Sequence, residues 1–76
     1  MRVLSIGEID RMAPSLLENG KAIREGDAIT LNADQIGIDK ILGSGKTTLK
    51  MNITARSFSA QAKSKIEAMG GKALVI

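Results

Sequence analysis

The sequence contains no cysteine and no histidine. Their absence excludes thiol nucleophiles, disulfide bonds, imidazole bases and the usual zinc sites, and with them many classes of enzyme mechanism. Aromatic residues are almost absent as well, because Phe58 is the only one in the chain. A core for these 76 residues, 43% of which are hydrophobic, must therefore consist of Ile, Leu, Val, Ala and Met. We expect one thin-cored domain spanning residues 1–76, because so short a chain buries little surface.

Long apolar runs are also missing from the sequence. No stretch approaches the ~18–20 residues that a membrane-spanning helix needs. The first residues, Met1–Leu4, lack the long apolar segment of a signal peptide. We therefore expect a cytoplasmic location and no membrane partner.

Acidic residues are scarce in the second half of the chain. Residues 1–39 carry four basic and seven acidic side chains, a net charge of −3, whereas residues 40–76 carry seven basic side chains and one acid, a net charge of +6. Such an asymmetry indicates a surface for a polyanion. A solvated basic face without a partner would give the same count. The seven basic residues are Lys40, Lys46, Lys50, Arg56, Lys63, Lys65 and Lys72.

Proline is scarce too, and the single Pro14 governs the prediction for the first helix. Ser5 and Glu8 have the spacing of a capping box, so a helix should begin there. Because proline lacks an N–H and disfavours helical geometry in the residue before it, the pattern predicts two short helices, 6–12 and 14–19. A glycine at position 20 should end the second helix. The predicted buried residues are Ile9, Leu16 and Leu17.

Strand patterns alternate with turns in the middle of the chain. Residues 24–27 are typical of a turn, and residues 28–31 favour a brief strand. Residues 32–37 predict a tight helical turn, and a further short strand is expected over 40–42. A glycine-rich loop follows.

The clearest strand pattern lies at 49–56, where apolar and polar residues alternate, as in a strand with one buried face. Ser59 is a good N-cap for a following helix, which Gly70 and Gly71 should end. Residues 72–76 predict a last strand that is too apolar to be left in water. Interleaved strands and helices indicate one small α/β domain. The predicted buried stripe of the last helix is Ala62, Ile66 and Met69.

The loop Gly43–Thr47 superficially resembles the end of a nucleotide-binding P-loop. That motif requires glycine where Lys40 stands and a helix after the loop, whereas an alternating strand follows here, so we expect no nucleotide binding. The loop does fit a nucleic-acid backbone, because glycines let N–H groups approach a phosphate and Lys40 and Lys46 supply charge on either side. A plain tight turn between two strands would use the glycines equally well.

Phe58 permits two interpretations. An aromatic ring can stack on an unpaired RNA base. Because Phe58 directly precedes the predicted cap Ser59, it also stands where an apolar residue packs on the first turn of its own helix, and this core role is our prediction. We also interpret the methionines as gap-filling core and four of the acids as caps or solvated surface. These residues are Met12, Met51 and Met69, and Glu8, Asp10, Asp34 and Asp39.

Two segments of the chain together form a specific pattern. The first is Lys40–Gly45, which precedes the alternating strand. The second is Phe58–Ala73, with its pattern of Phe-Ser, Ala, Ile-Glu and Gly-Gly. This combination resembles the large-subunit ribosomal proteins fifteen and 18e. The earlier stretch over residues 6–40 is more similar to the archaeal-type protein fifteen than to 18e. The resemblance spans nearly the whole chain.

This resemblance implies a compact domain of short strands and helices in an irregular superhelical arrangement. It implies a structural, non-enzymatic protein without a cofactor, bound to large-subunit ribosomal RNA beside other ribosomal proteins. Family members also carry a long basic, glycine-rich N-terminal half, which these 76 residues do not contain. The resemblance points to the glycine loop and the start of the last helix as the parts near RNA. With the basic residues Lys40 and Lys50 added, the predicted RNA-binding set is Lys40, Gly43, Ser44, Gly45, Lys46, Lys50, Arg56, Ser57, Ser59 and Lys63.

A second class of function is compatible with the same residues. A small basic protein-interaction module would also have an α/β fold and a positive surface, without specific RNA binding. Salt dependence separates the two classes, because phosphate contacts weaken steeply with salt and an apolar protein interface responds weakly.

Overall fold

Seven short β-strands, two α-helices and one 3₁₀ helix make up the fold in the computed structural model, which describes residues 1–76. Strands β1, β4 and β6 form one parallel sheet. The other sheet has the order β2-β3-β5-β7, in which only β2 runs antiparallel to its neighbour. This is the predicted α/β class. In chain order the elements are β1 (Val3–Ser5), α1 (Ile6–Glu18), β2 (Ala22–Glu25), β3 (Ala28–Asn32), the 3₁₀ helix (Ala33–Ile36), β4 (Lys40–Leu42), β5 (Lys50–Ala55), β6 (Ser57–Phe58), α2 (Ala60–Ala68) and β7 (Lys72–Val75).

Helix α1 continues without a break through Pro14, so the prediction of two separate helices is wrong. Pro14 is exposed, while residues spaced three, four and three apart form one buried face along the whole helix. Burial of this continuous face outweighs the single hydrogen bond that proline removes. The prediction for Leu17 is only partly met, because its side chain is half-buried. The buried face consists of Ile6, Ile9, Ala13 and Leu16.

Both ends of α1 are capped as the sequence predicts. Ser5 and Glu8 form a complete capping box, in which each side chain accepts a hydrogen bond from the other residue's backbone N–H, both at 3.2 Å. At the other end Gly20 has a φ of 74°, and the N–H groups of Gly20 and Lys21 donate to carbonyls of the last turn at 3.3 and 2.8 Å. This left-handed glycine cap turns the chain into β2.

Strand β2 is absent from the sequence prediction, which treats residues 24–27 as a turn. Three of its four residues are exposed, so it lacks the alternation that marks a half-buried strand. The turn itself is shorter, with Gly26 and Asp27 linking β2 to β3. The remaining predictions of strands β3, β4 and β5 and of the tight helical turn are confirmed.

One cluster of aliphatic side chains forms the core, and Phe58 packs against it, half-buried. The core role predicted for Phe58 is therefore confirmed. Of the methionines only Met51 is buried, because Met12 borders the buried face of α1 and Met69 is the C-cap of α2. The prediction that Met12 and Met69 are core residues is wrong. The largest fully buried side chains are Ile6, Ile9, Leu31, Ile41, Met51, Ile53 and Ile66.

Strand β7 forms as predicted, but most of its apolar side chains are not buried. Leu74, Val75 and Ile76 are 50%, 69% and 64% exposed. The expectation of burial is wrong because β7 is an edge strand, which pairs only with β5 and packs mainly against α2. Neither α-helix has both the length and the apolar composition that a membrane crossing requires.

Candidate nucleic-acid interface

The carboxyl ends of the parallel sheet bring three features of the sequence together. Strand β1 ends at Ser5, the N-cap of α1, and β6 leads directly into Ser59, the N-cap of α2. Strand β4 lies between β1 and β6 and runs into Gly43–Lys46, which we call the glycine loop. The loop therefore lies between the N-terminal ends of both α-helices, where the helix dipoles contribute partial positive charge.

The glycines of this loop are in contact with the backbones of both helices, where a side chain would not fit. Gly43 is buried, and a Cβ there would lie 2.5 Å from the backbone nitrogen of Ala62. On the other side the Gly7 N–H donates to the Ser44 carbonyl at 3.1 Å, and a Cβ on Gly45 would lie 2.9 Å from the Gly7 Cα. Because β4 and β5 belong to different sheets, the loop is not a plain turn of a hairpin. The glycines allow it to fit between two helix ends.

Three consecutive backbone N–H groups of the loop have no acceptor within the protein. They belong to Ser44, Gly45 and Lys46, all of which are exposed. Gly45 has a φ of 85°, and successive N–H groups around a left-handed residue form concave sites that favour anions. The loop can therefore donate several hydrogen bonds to one external acceptor.

Side chains hold both flanks of the loop. Asp10 of α1 accepts a hydrogen bond from the Thr48 N–H at 2.9 Å, and the Thr48 hydroxyl lies 3.1 and 3.2 Å from its two carboxylate oxygens. On the α2 side Lys65 donates from Nζ to the Gly45 carbonyl at 3.2 Å. Sequence reasoning missed both contacts, and it assigned Asp10 only to caps and surface. No sequence spacing could have revealed them, because Asp10 and Thr48 are 38 residues apart.

Two grooves flank the glycine loop, and their charges differ. The α1 groove, about 480 Å³, contains the cations Arg11 and Lys46 but also the carboxylates Glu8 and Asp10. The α2 groove, about 340 Å³, contains two lysines and no carboxylate. Positive charge is thus uncompensated on the α2 side only. The α2 groove is lined by Gly45, Lys46, Thr47, Thr48, Lys65, Ala68 and Met69.

The ten predicted RNA-binding residues do not form one patch. The structure brings the glycine loop, Gly43–Lys46, together with Ser59, and Lys63 lies exposed one turn further along α2. Lys40 and Ser57 pair with each other at the opposite, amino end of the parallel sheet. Eight of the ten therefore divide into a main group of six around the loop and the start of α2 and a second group of two at the far end of β4 and β6.

Two of the predicted cations are already paired with carboxylates. Lys50 lies 3.6 Å from Asp27, and the Arg56 guanidinium donates a hydrogen bond to Asp34 at 2.7 Å. This hydrogen bond and the Asp34 charge raise the pKa of Arg56 above its ordinary value. The other lysines of the second half have no carboxylate within 4.0 Å; they are Lys40, Lys46, Lys63, Lys65 and Lys72.

The sequence is similar to archaeal ribosomal proteins along nearly its whole length. It is 41% identical over 71 residues to the large ribosomal subunit protein uL15 of Methanobrevibacter smithii, an alignment that covers 93% of this chain and 49% of the relative. It is 40% identical over 76 residues to uL15 of Methanothermobacter thermautotrophicus, an alignment that covers 100% of this chain and 52% of the relative. It is 38% identical over 73 residues to uL15 of Staphylothermus marinus, which covers 96% of this chain and 48% of that relative. The chain spans about half the length of the curated relatives it matches.

A family model gives the same answer independently of any single relative. The model for the ribosomal proteins 50S-L15, 50S-L18e and 60S-L27a matches residues 3–74, which include both sheets, both helices and the glycine loop. The predicted resemblance is thereby confirmed. This chain belongs to the family of ribosomal proteins 50S-L15, 50S-L18e and 60S-L27a.

Proposed function

We propose that this chain is a structural, non-enzymatic part of the large ribosomal subunit, and that it binds large-subunit ribosomal RNA through the glycine loop and the start of α2. The proposed phosphate contacts come from the loop N–H groups, from Lys46 in the loop and from Lys63 on α2. The proposal extends to this chain what the names of its archaeal relatives say of those proteins. The main contact residues are Gly43, Ser44, Gly45, Lys46, Ser59 and Lys63.

The observation that carries the proposal is the run of free N–H groups at Ser44, Gly45 and Lys46. Backbone N–H groups are strong donors, and in the rest of a fold nearly all of them are paired. A phosphate oxygen can accept several of these bonds at once, and phosphate contacts of this kind position a protein on nucleic acid without reading its sequence. The loop is thus suited to the backbone of RNA rather than to its bases.

Charge favours one side of the loop for the RNA strand. The α1 groove contains two carboxylates, which repel phosphate, whereas the α2 groove contains Lys46 and Lys65 without an acid. We expect the RNA backbone to follow the α2 groove past Lys46 and Lys65. Lys63 lies about 200° around α2 from Lys65, so it would contact phosphate on the other side of that helix. Lys40 and Ser57 belong to a separate proposed contact at the far end of the sheet. Lys50 and Arg56 are weaker candidates, since each must also satisfy its own carboxylate.

The proposal is tested by the salt dependence of RNA binding. The probe is a transcript of the large-subunit ribosomal RNA of Methanobrevibacter smithii, titrated with the full chain between about 50 and 200 mM KCl, with excess transfer RNA as competitor. With three to five phosphate contacts, log affinity should fall against log salt with a slope of roughly −2 to −4. A slope near zero would instead support the protein-interaction module, and binding abolished by transfer RNA would remove the specificity for ribosomal RNA.

A further inference from the structure

The glycine loop is fixed on the α1 side by a carboxylate at a place where a carboxylate is electrostatically unfavourable. Asp10 lines the same groove as Lys46 and would repel a phosphate bound to the loop. Its two oxygens are directed to Thr48 instead, with contacts of 2.9 Å to the N–H and 3.1 and 3.2 Å to the hydroxyl. Thr48 is two residues beyond the last loop residue, so this contact holds the end of the loop against α1.

We propose that Asp10 is a positioning residue for RNA binding, which acts through Thr48 and not by contact with RNA. The inference rests on the proposed function of the glycine loop. Ordering a loop costs conformational entropy, and a loop that is already fixed before binding does not incur that cost again. Asp10 thus favours binding by holding Ser44, Gly45 and Lys46 in one arrangement, although its own charge opposes binding.

The two effects of Asp10 predict opposite results for its removal. Asp10→Ala raises the net charge from +3 to +4, and on charge alone it would strengthen the attraction to RNA. If positioning dominates, the same substitution must weaken binding. Asp10→Asn removes the charge but keeps a carbonyl oxygen that can accept the Thr48 N–H, so it should retain the positioning effect.

The matched control is Glu18→Ala. Glu18 ends the same helix and is exposed, and its side chain takes part in no hydrogen bond or ion pair, yet its removal makes the same change in net charge. With the ribosomal RNA transcript as probe, Asp10→Ala should weaken binding by roughly ten- to hundredfold, as expected for a lost hydrogen bond to a charged group. Glu18→Ala and Asp10→Asn should bind as tightly as the parent or more tightly. Equal or tighter binding by Asp10→Ala than by Glu18→Ala overturns the inference.

A second readout does not depend on RNA. The heteronuclear ¹⁵N NOE of the Gly45 and Lys46 amides should fall in Asp10→Ala and stay at the parent value in Glu18→Ala, because only the first substitution releases the loop. Unchanged loop amides in Asp10→Ala refute the positioning role even if RNA binding falls. If the loop is released but the parent chain itself does not bind the transcript, the proposed function has failed and the inference falls with it. The two measurements therefore show which of the two statements is wrong.

Discussion

The backbones of Gly7 and Gly45 are in direct contact. A Cβ built on Gly7 would lie 2.8 Å from the Gly45 Cα, closer than side-chain carbons approach a backbone. The contact accompanies the hydrogen bond from the Gly7 N–H to the Ser44 carbonyl at 3.1 Å. The glycine loop thus packs directly against the first turn of α1.

Gly7→Ala should therefore displace the loop without weakening the helix. Alanine is the better helix former by about 1 kcal/mol, and this gain offsets the steric cost from the added methyl group, so the melting temperature should change little. The new methyl group would push Gly45 away, and RNA affinity should fall roughly tenfold, equivalent to about 1.4 kcal/mol. Binding titrations and thermal melts on the same samples measure both effects.

Gly20→Ala is the control for this substitution. Gly20 has a φ of 74° and nothing within 4 Å of a built Cβ, so alanine there should cost about 1 kcal/mol of stability through backbone strain alone. It lies at the far end of α1 and should leave RNA binding unchanged. Equal RNA affinities for the two variants would show that the Gly7–Gly45 contact has no role in binding.

Ile66→Ala should unfold much of the isolated chain at physiological temperature. Ile66 is 1% exposed within a core that contains no buried aromatic ring. Truncating a buried isoleucine costs about 2–5 kcal/mol, which is a large part of the 5–15 kcal/mol that stabilises a typical domain. Circular dichroism on heating measures the loss. Leu74→Ala, at a residue that is 50% exposed, should melt close to the parent. Similar melts for the two variants would mean that Ile66 is not central to the core.

Millimolar Mg-ATP should leave the melting temperature unchanged. The chain that follows Thr47 enters β5 at Lys50 and forms no helix, and the Thr47 hydroxyl donates to the Leu49 carbonyl at 3.2 Å instead of facing a metal ion. A binder must stabilise the folded state by mass action. A rise in melting temperature that Lys46→Ala abolishes would establish nucleotide binding and contradict this prediction.

Local patterns predicted the elements that depend on local physics. The capping box at Ser5 and Glu8 and the alternating strand β5 follow from contacts a few residues apart, and the structure contains both. The break at Pro14 was expected from the proline alone, whereas the buried face of α1 spans both sides of it. Exposure of Leu74 could not be foreseen, because strand order decides which strand is at an edge, and that order depends on the whole topology.

The candidate site was predictable only in part, for the same reason. The glycine loop and the cap at Ser59 are visible as local motifs, and their proximity follows from the parallel order of β4 and β6. The contacts that hold the loop are not local, because Asp10 and Lys65 approach it from different helices. The pairing of Arg56 with Asp34 likewise joins residues 22 positions apart, and it alters which cations are free for phosphate.

Charge reversal at the loop tests the central claim most directly. Lys46 and Lys63 are exposed and unpaired at the N-terminal side of α2, and Lys46→Glu with Lys63→Glu should weaken binding to the ribosomal RNA transcript strongly. The salt slope should flatten by about one to two, because each lost phosphate contact removes slightly less than one. Folding should survive, since neither side chain is buried.

The control reverses the charge of two lysines that lie just beyond the C-terminal ends of the helices. Lys21 follows α1, whose 13 residues span about 20 Å, and Lys72 follows α2. Lys21→Glu with Lys72→Glu makes the same change in net charge and should leave affinity and slope near those of the parent. Affinity is measured for both double variants across the same salt range. Loss confined to the Lys46 and Lys63 variant is the result we predict, and equal loss in both variants, or loss in neither, would contradict an RNA interface at the glycine loop.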